Sequence, residues 1–233
     1  MAKRRLRRRI RRLLPQGRTF RINGGAGRIM HSPLKRTFDI VFSLGALTVL
    51  SPVFLGISAA IRLSSPGAAV YKHTRIGRGG RQFSCYKFRS MYIDADERLN
   101  ELLESDSELR EEWSERHKLS DDPRITPLGN FLRKSSLDEL PQFWNVLRGD
   151  LSVVGPRPLV QMEISQRLGR KAVKILSIRP GLTCFWQTSG RSDTTYAQRI
   201  QLDEKYVEDR NLWVDVQLIA RTIPAMIFSR GAY

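Results

Sequence analysis

The run IVFSLGALTVLSPVFLGISAAI, residues 40–61, holds 22 consecutive positions without a charge, and it limits what the rest of the chain can do. A helix of that length measures about 33 Å at 1.5 Å per residue, enough to cross the hydrocarbon core of a bilayer. A buried core helix is a poor alternative, because globular helices are rarely apolar around the whole circumference for so long. A cleaved signal peptide fits no better, since its apolar region is only about 7–15 residues and starts nearer the N-terminus.

Two features argue against a straight span. Positive flanks stay on the cytoplasmic side, yet both flanks here are basic: KRRLRRRIRR, Lys35 and Arg36 before, and Arg62, Lys72, Arg75, Arg78 and Arg81 after. In the middle sits Ser51-Pro52, where proline removes a backbone donor and bends the helix, while the serine hydroxyl satisfies a freed carbonyl. A helix that enters, breaks at Ser51 and Pro52 and returns to the same face resolves the conflict. A kinked span that crosses the bilayer is the remaining alternative.

The formal charge of +17 is segregated along the chain. Residues 1–39 carry 13 basic groups and one acid, whereas residues 94–122 carry 12 acids and four basic groups. A basic arm directly ahead of an apolar segment suits anionic phospholipid headgroups. Nucleic acid is the weaker partner for it, because only Leu6 and Ile10 interrupt residues 4–12 and no aromatic is there to stack on bases. RINGGAG, residues 21–27, reads as a linker. Cys85 and Cys184 are too few and too far apart for a disulfide framework or a zinc site, which points to a reducing compartment, and three isolated histidines form no ligand cluster.

Past the membrane segment, residues 68–93 mix β-branched and aromatic residues around Gly-Arg-Gly-Gly and predict a hairpin. Residues 94–119 space leucines at helical intervals among acids and predict a solvated amphipathic helix with non-catalytic carboxylates. A short helix is expected over 128–134. A second begins near Leu140, with Pro141 in its first turn and Gly149 as its stop. Residues 202–228 carry Leu212, Trp213, Val216, Ile219, Ile223 and Met226 at helical spacing, either as a core helix or as one lying in the membrane interface.

Asp138 and Glu139 stand together ahead of that second helix, at its positive end, where ionised carboxylates are favoured. An N-cap accounts for one carboxylate and leaves the other unexplained. Arg157 is held between prolines in GPRP, and Arg179 and Arg191 stand at further proline and glycine turns. Guanidiniums restrained in this way suit bidentate phosphate recognition. A carboxylate pair among fixed arginines at a membrane face fits phosphoryl transfer on a multiply phosphorylated substrate with Mg²⁺. No GxxxxGK[ST] loop or kinase signature is present.

KRTFDIVFSLGALTVLSPVF, YKFRSM, DPRITPLGNFLRKSSLDELPQFWNVLRGDLSVVGPRP, RPGLT and LDEKYV, in that order, resemble the bacterial sugar transferases called monotopic phosphoglycosyl transferases. The resemblance runs from about Lys35 to the C-terminus. Behind the basic arm and linker at 1–34, it implies an α/β fold, mostly helical with a few short strands: a re-entrant membrane helix at 35–64 broken at Ser51 and Pro52, and a cytoplasmic catalytic domain at 65–233 with interfacial amphipathic helices. It also implies transfer of a sugar-1-phosphate from a UDP-sugar to undecaprenyl phosphate with release of UMP, at the cytoplasmic face of the bacterial inner membrane, priming extracellular polysaccharide or another glycoconjugate. By the same resemblance Asp138 is the nucleophile of a ping-pong scheme and Glu139 helps hold Mg²⁺. Arg133 and Arg157 bind phosphate or nucleotide, Lys87 is a polar active-site residue, and Arg89 is placed with them. The chain departs from the family pattern at Cys184 and Thr188-Ser189, which bears on the donor sugar. A UDP-releasing glycosyltransferase and a non-enzymatic membrane scaffold are the alternatives, and the possibility of a homo-oligomer is left open.

Overall fold

The computed structural model describes residues 33–116, 119–169, 171–188 and 195–227. The basic arm, the 21–27 linker and Arg191 lie outside the described residues.

The apolar run forms two helices, α1 (Pro33–Val49) and α2 (Ser51–Ser64), bent by 60° at the break between them. Pro52 occupies the first turn of α2, where its missing N–H leaves no bond unmade. The Ser51 hydroxyl donates to Thr48 O at 2.8 Å, using the lone pair of a carbonyl freed by the break. Neither helix is long and apolar enough to cross a membrane alone; the bent pair passes that test together. The polarity of α1 is inverted relative to a globular helix. Its buried residues are Lys35, Asp39 and Ser43, one turn apart, while Leu34, Ile40, Val41, Leu44 and Val49 are exposed. On α2, only Ile61 is buried, and Val53, Leu55 and Leu63 are exposed.

The polar stripe of α1 explains how an apolar helix docks on a polar body. Lys35 Nζ lies 3.0 Å from Asp39 Oδ1 and 2.7 Å from Asp215 Oδ2. Asp39 also accepts from the Ser152 hydroxyl and from Val153 N–H. Arg36 donates to Val146 O and Leu147 O, both at 2.6 Å. The sequence reading counts Lys35 and Arg36 only in the basic flank ahead of the apolar run; in the structure both bond to the protein, since buried carboxylates and open helix-end carbonyls need cationic partners.

The chain then forms the expected hairpin, β1 (Val70–Ile76) against β2 (Gln82–Phe88), antiparallel with His73 opposite Cys85 and Tyr71 opposite Lys87. The acidic segment is two helices, α3 (Ala95–Ser105) and α4 (Ser107–Arg116), where one was expected. Asp106 causes the break: its Oδ1 accepts from Glu108 N–H and Leu109 N–H, a capping geometry that competes with continued helix. Helix α5 (Pro127–Lys134) is capped by Thr126, whose side chain accepts from Gly129 N–H. A Cβ on Gly129 would meet Ser90 O at 1.9 Å, so α5 lies backbone to backbone against the end of the hairpin.

A 3-10 turn (Leu137–Glu139) leads into α6 (Gln142–Arg148). That helix starts two residues later than expected, with Pro141 as its N-cap, and it stops at Gly149, whose φ of 88° is left-handed. Strand β3 (Ser152–Val154) pairs in parallel with β4 (Gly181–Thr183), across a crossover made of α7 (Gln161–Glu163), a π-helical turn (Ile164–Leu168) and α8 (Lys171–Ile175). Gly155 and Gly181 meet so closely that a Cβ on Gly181 would lie 2.0 Å from Gly155 N. A short helix α9 (Phe185–Thr188) follows. The C-terminal run divides into α10 (Tyr196–Asp209) and α11 (Leu212–Ile227). Leu218 of α11 joins the main core with Val146, Leu151, Val153, Val154, Ile178, Tyr206 and Val207, while Trp213, Val216 and Ile223 are exposed, so the helix has both a core face and an open apolar face.

Candidate active site

The dyad is positioned from three directions. The chain turns sharply out of α5 at Ser136, a non-glycine residue at φ 57°, and this left-handed step brings Asp138 and Glu139 into the 3-10 turn. Behind the turn, Leu137, Leu140 and Phe143 pack with Leu132, Phe88 and Ile61, joined by Phe54 and Ile57 of α2, so the bent apolar helix supports the backbone that carries the carboxylates. From α6, Asn145 donates to Ser84 O at 2.7 Å and accepts from Tyr86 N–H at 2.9 Å. Its amide extends the ladder on the outer edge of β2 and so fixes Lys87 relative to the dyad. The sequence carries no special signal for Asn145, a polar residue in an ordinary helical pattern.

Neither carboxylate caps a helix, which removes the bland explanation for the pair. Lys87 Nζ lies between them, 3.2 Å from Asp138 Oδ2 and 2.7 Å from Glu139 Oε1. Burial alone works to raise Glu139, but Lys87, Arg157 and Arg75 together hold its carboxyl down at about 2. Asp138 moves the other way: burial and the neighbouring Glu139 charge raise it, against the pull of Lys87 and Arg133. Burial also acts against the Lys87 ammonium, yet the two carboxylates outweigh it and raise its affinity for the proton. The cleft above them is lined by Arg75, Lys87, Glu139, Gln142, Arg157 and Gln187, with Cys85 in its wall.

Arg133 and Arg157 stand on opposite members of the dyad: Arg133 acts on Asp138 and donates through Nε to Ser90 Oγ at 2.8 Å, while Arg157 acts on Glu139. The Arg157 guanidinium packs on the Trp186 ring, 5.3 Å from its centroid, and Arg199 packs on the same ring at the same distance. Behind Arg157 lies Asp203, buried against Arg199; burial pushes its carboxyl up to about 7, opposed by Arg199 and by the Arg157 backbone N–H. Arg89 is not brought to the dyad. Its guanidinium donates to Ser65 O and Ser65 Oγ, at 2.8 and 2.9 Å, and to Pro66 O, closing the C-terminal end of α2. Arg179 donates to Gly149 O at 2.9 Å and lines a separate cavity with Lys35, Asp39 and Arg78.

Arg75 was not singled out in the sequence, where it stands in a basic flank whose residues face either acidic lipid or an acidic substrate; the register of the hairpin turns it toward Glu139 and Arg157. Among the described residues no three His, Cys, Asp or Glu side chains converge on a metal position. Two adjacent carboxylates nonetheless match the donor set of Mg²⁺, which is held by one or two carboxylates and completed by water and substrate phosphates.

A family model described as bacterial sugar transferase matches residues 30–229. The chain is 46% identical over 209 residues to the exopolysaccharide production protein ExoY of Rhizobium meliloti, covering 90% of this chain and 92% of that protein. It is 46% identical over 200 residues to the undecaprenyl-phosphate galactose phosphotransferase of Salmonella typhimurium, and 35% identical over 207 residues to the UDP-glucose:undecaprenyl-phosphate glucose-1-phosphate transferase of Escherichia coli. Those matches cover 86% of this chain but only 42% and 41% of the two longer relatives.

Proposed function

Because the chain belongs to the bacterial sugar transferase family, we propose that it transfers a sugar-1-phosphate from a UDP-sugar to undecaprenyl phosphate and releases UMP. The observation that carries this reading is the dyad bridged by Lys87, with Arg133 on one side and Arg157 on the other. That arrangement offers a nucleophile, counter-charge for phosphate oxygens and a place for a divalent ion in one cleft.

In this scheme Asp138 attacks the sugar-bearing phosphorus of the donor. The bond from that phosphorus to the bridging oxygen breaks, and UMP departs with the oxygen and the electron pair. A phosphosugar ester on Asp138 remains until the phosphate oxygen of the lipid attacks the same phosphorus and returns the carboxylate. Two steps at one centre suit a water-soluble donor and a lipid acceptor that need not be bound together. Glu139, held ionised at about 2, and Asp138 are the residues that would hold Mg²⁺, which when bound neutralises diphosphate charge. Arg75 and Arg157 orient the diphosphate, and Arg133 steadies the Asp138 side of the cleft.

The membrane placement rests on the inverted polarity of α1 and the open apolar faces of α2 and α11. We place the catalytic body on the cytoplasmic face, with α1 and α2 dipping into the bilayer as a bent pair and the basic arm on anionic phospholipid. Nucleotide release from a panel of UDP-sugars, with Mg²⁺ and undecaprenyl phosphate, tests the chemistry. UMP release that falls at least about 10³-fold in Asp138→Asn supports the covalent scheme. UDP release overturns it in favour of direct glycosyl transfer.

A further inference from the structure

Lys87 stands where the dyad would share a divalent ion. Its Nζ contacts an oxygen of each carboxylate, at 3.2 and 2.7 Å, and its side chain is only 23% exposed. Arg157 and Arg75 add their field at Glu139, and Arg133 adds its own at Asp138. The chain's own cations therefore already compensate the pair. A divalent ion arriving alone meets an ammonium at the point of binding, in a poorly hydrated cleft where like-charge repulsion is weakly screened.

A diphosphate changes the balance. Its oxygens present Lys87 with a second anion in the same cleft, and the lysine stem is flexible, with three rotatable donors, whereas the arginine forks around it are planar and pre-set. Arg157 is further restrained by the Trp186 ring and by Pro156 and Pro158 on either side. Among the groups that touch the dyad, the ammonium is the one built to change partner.

We infer, on the footing of the phosphoryl-transfer reading above, that Lys87 is an internal counter-ion that keeps Mg²⁺ off the dyad until the donor's diphosphate draws the ammonium away. Metal and donor then bind synergistically, and the carboxylates are released for metal binding and attack only when a diphosphate is present. The same exchange hands the donor a cation as it takes one from the dyad, so the cleft never holds two uncompensated carboxylates.

The test uses the detergent-solubilised full chain, with thermal unfolding as the readout, titrated with MgCl₂ in the absence and presence of UDP as a diphosphate probe. In the wild type, MgCl₂ alone leaves the midpoint unchanged and UDP makes it responsive. In Lys87→Gln, MgCl₂ alone shifts the midpoint, at concentrations at least about tenfold below any at which the wild type responds, as expected when a like charge a few ångströms away is removed. Lys87→Arg keeps the charge, so MgCl₂ alone leaves its midpoint unchanged, as in the wild type. Equal responses of wild type and Lys87→Gln to MgCl₂ alone overturn the inference. No response in any protein, even with UDP, overturns the metal reading itself. Should Lys87→Gln fail to fold, the wild type decides: an equal MgCl₂ response with and without UDP shows that nothing guards the dyad.

Discussion

Asp138 and Glu139 are neighbours in sequence and opposites in electrostatics. Burial acts on both, but Glu139 sees Lys87, Arg157 and Arg75, whereas Asp138 sees Glu139 as a like charge. A more basic carboxylate is the better nucleophile and a strongly ionised one the better metal ligand, so this division matches the roles proposed for them. Asp203 offers a separate reading at the same scale. Burial raises it from 3.8 to about 7, so the folded protein keeps a proton between those values that the unfolded chain has lost. Its contribution to stability is therefore complete below about pH 4 and declines as pH rises through about 7. Asp203→Asn is expected to remove that decline, giving a stability advantage over the wild type at pH 8 that disappears at pH 4. Melting curves across this range check it, and parallel pH profiles for the two proteins count against it. The dyad was legible in the sequence because paired carboxylates ahead of a proline are conspicuous. Asp203 was visible only as a letter in LDEKYV, since its burial depends on the GPRP turn, which lies elsewhere in the chain.

At the scale of elements, α1 determines how the catalytic body is held. Lys35 joins Asp39 of its own helix to Asp215 of α11, and Asp215 Oδ1 lies 2.7 Å from the Tyr206 hydroxyl. The network ties α1, β3, α10 and α11 at one buried point. Lys35→Met leaves two buried carboxylates without their cation and is expected to destabilise the protein by about 3–5 kcal/mol, measured by chemical denaturation in detergent. A loss under about 1 kcal/mol would mean that the network relaxes or takes up protons instead. Some element boundaries were legible in local chemistry: Gly149 as a stop and Ser51-Pro52 as a break. The split of the acidic segment was missed because Asp106 looks like any other acid in a charged helix until its side chain is seen to accept two backbone N–H groups. Lys35 and Arg36 stood in the sequence only as part of a basic flank, because partners such as Asp215 and the Val146 carbonyl lie over a hundred residues away.

At the scale of the whole molecule, the arrangement is a polar catalytic body resting on a bent apolar hairpin. The exposed residues Leu34, Val41, Leu44, Val49, Leu55 and Leu63 lie on α1 and α2, and an exposed apolar surface of that composition supports the proposed membrane placement. If the pair is re-entrant, single cysteines at Leu34 and Ser64, at its two ends, are labelled from the same side of sealed inner-membrane vesicles. Labelling from opposite sides would establish a crossing span. Cys85 and Cys184 are buried, so the introduced thiols dominate the signal.

The linear chain was enough to determine the break between α1 and α2, the adjacency of the dyad and the arginine held in GPRP, because each is a property of neighbouring residues: a missing donor, two adjacent carboxylates, a guanidinium between prolines. Only the tertiary structure decided which cations serve the dyad. Lys87 and Arg75 reach it through the pairing of β1 with β2, whereas Arg89, two residues from Lys87, turns to the end of α2 and Arg179 to the end of α6. The reason is physical: a basic side chain goes to the strongest unsatisfied anion or carbonyl within reach, and reach is set by packing between segments far apart in the sequence.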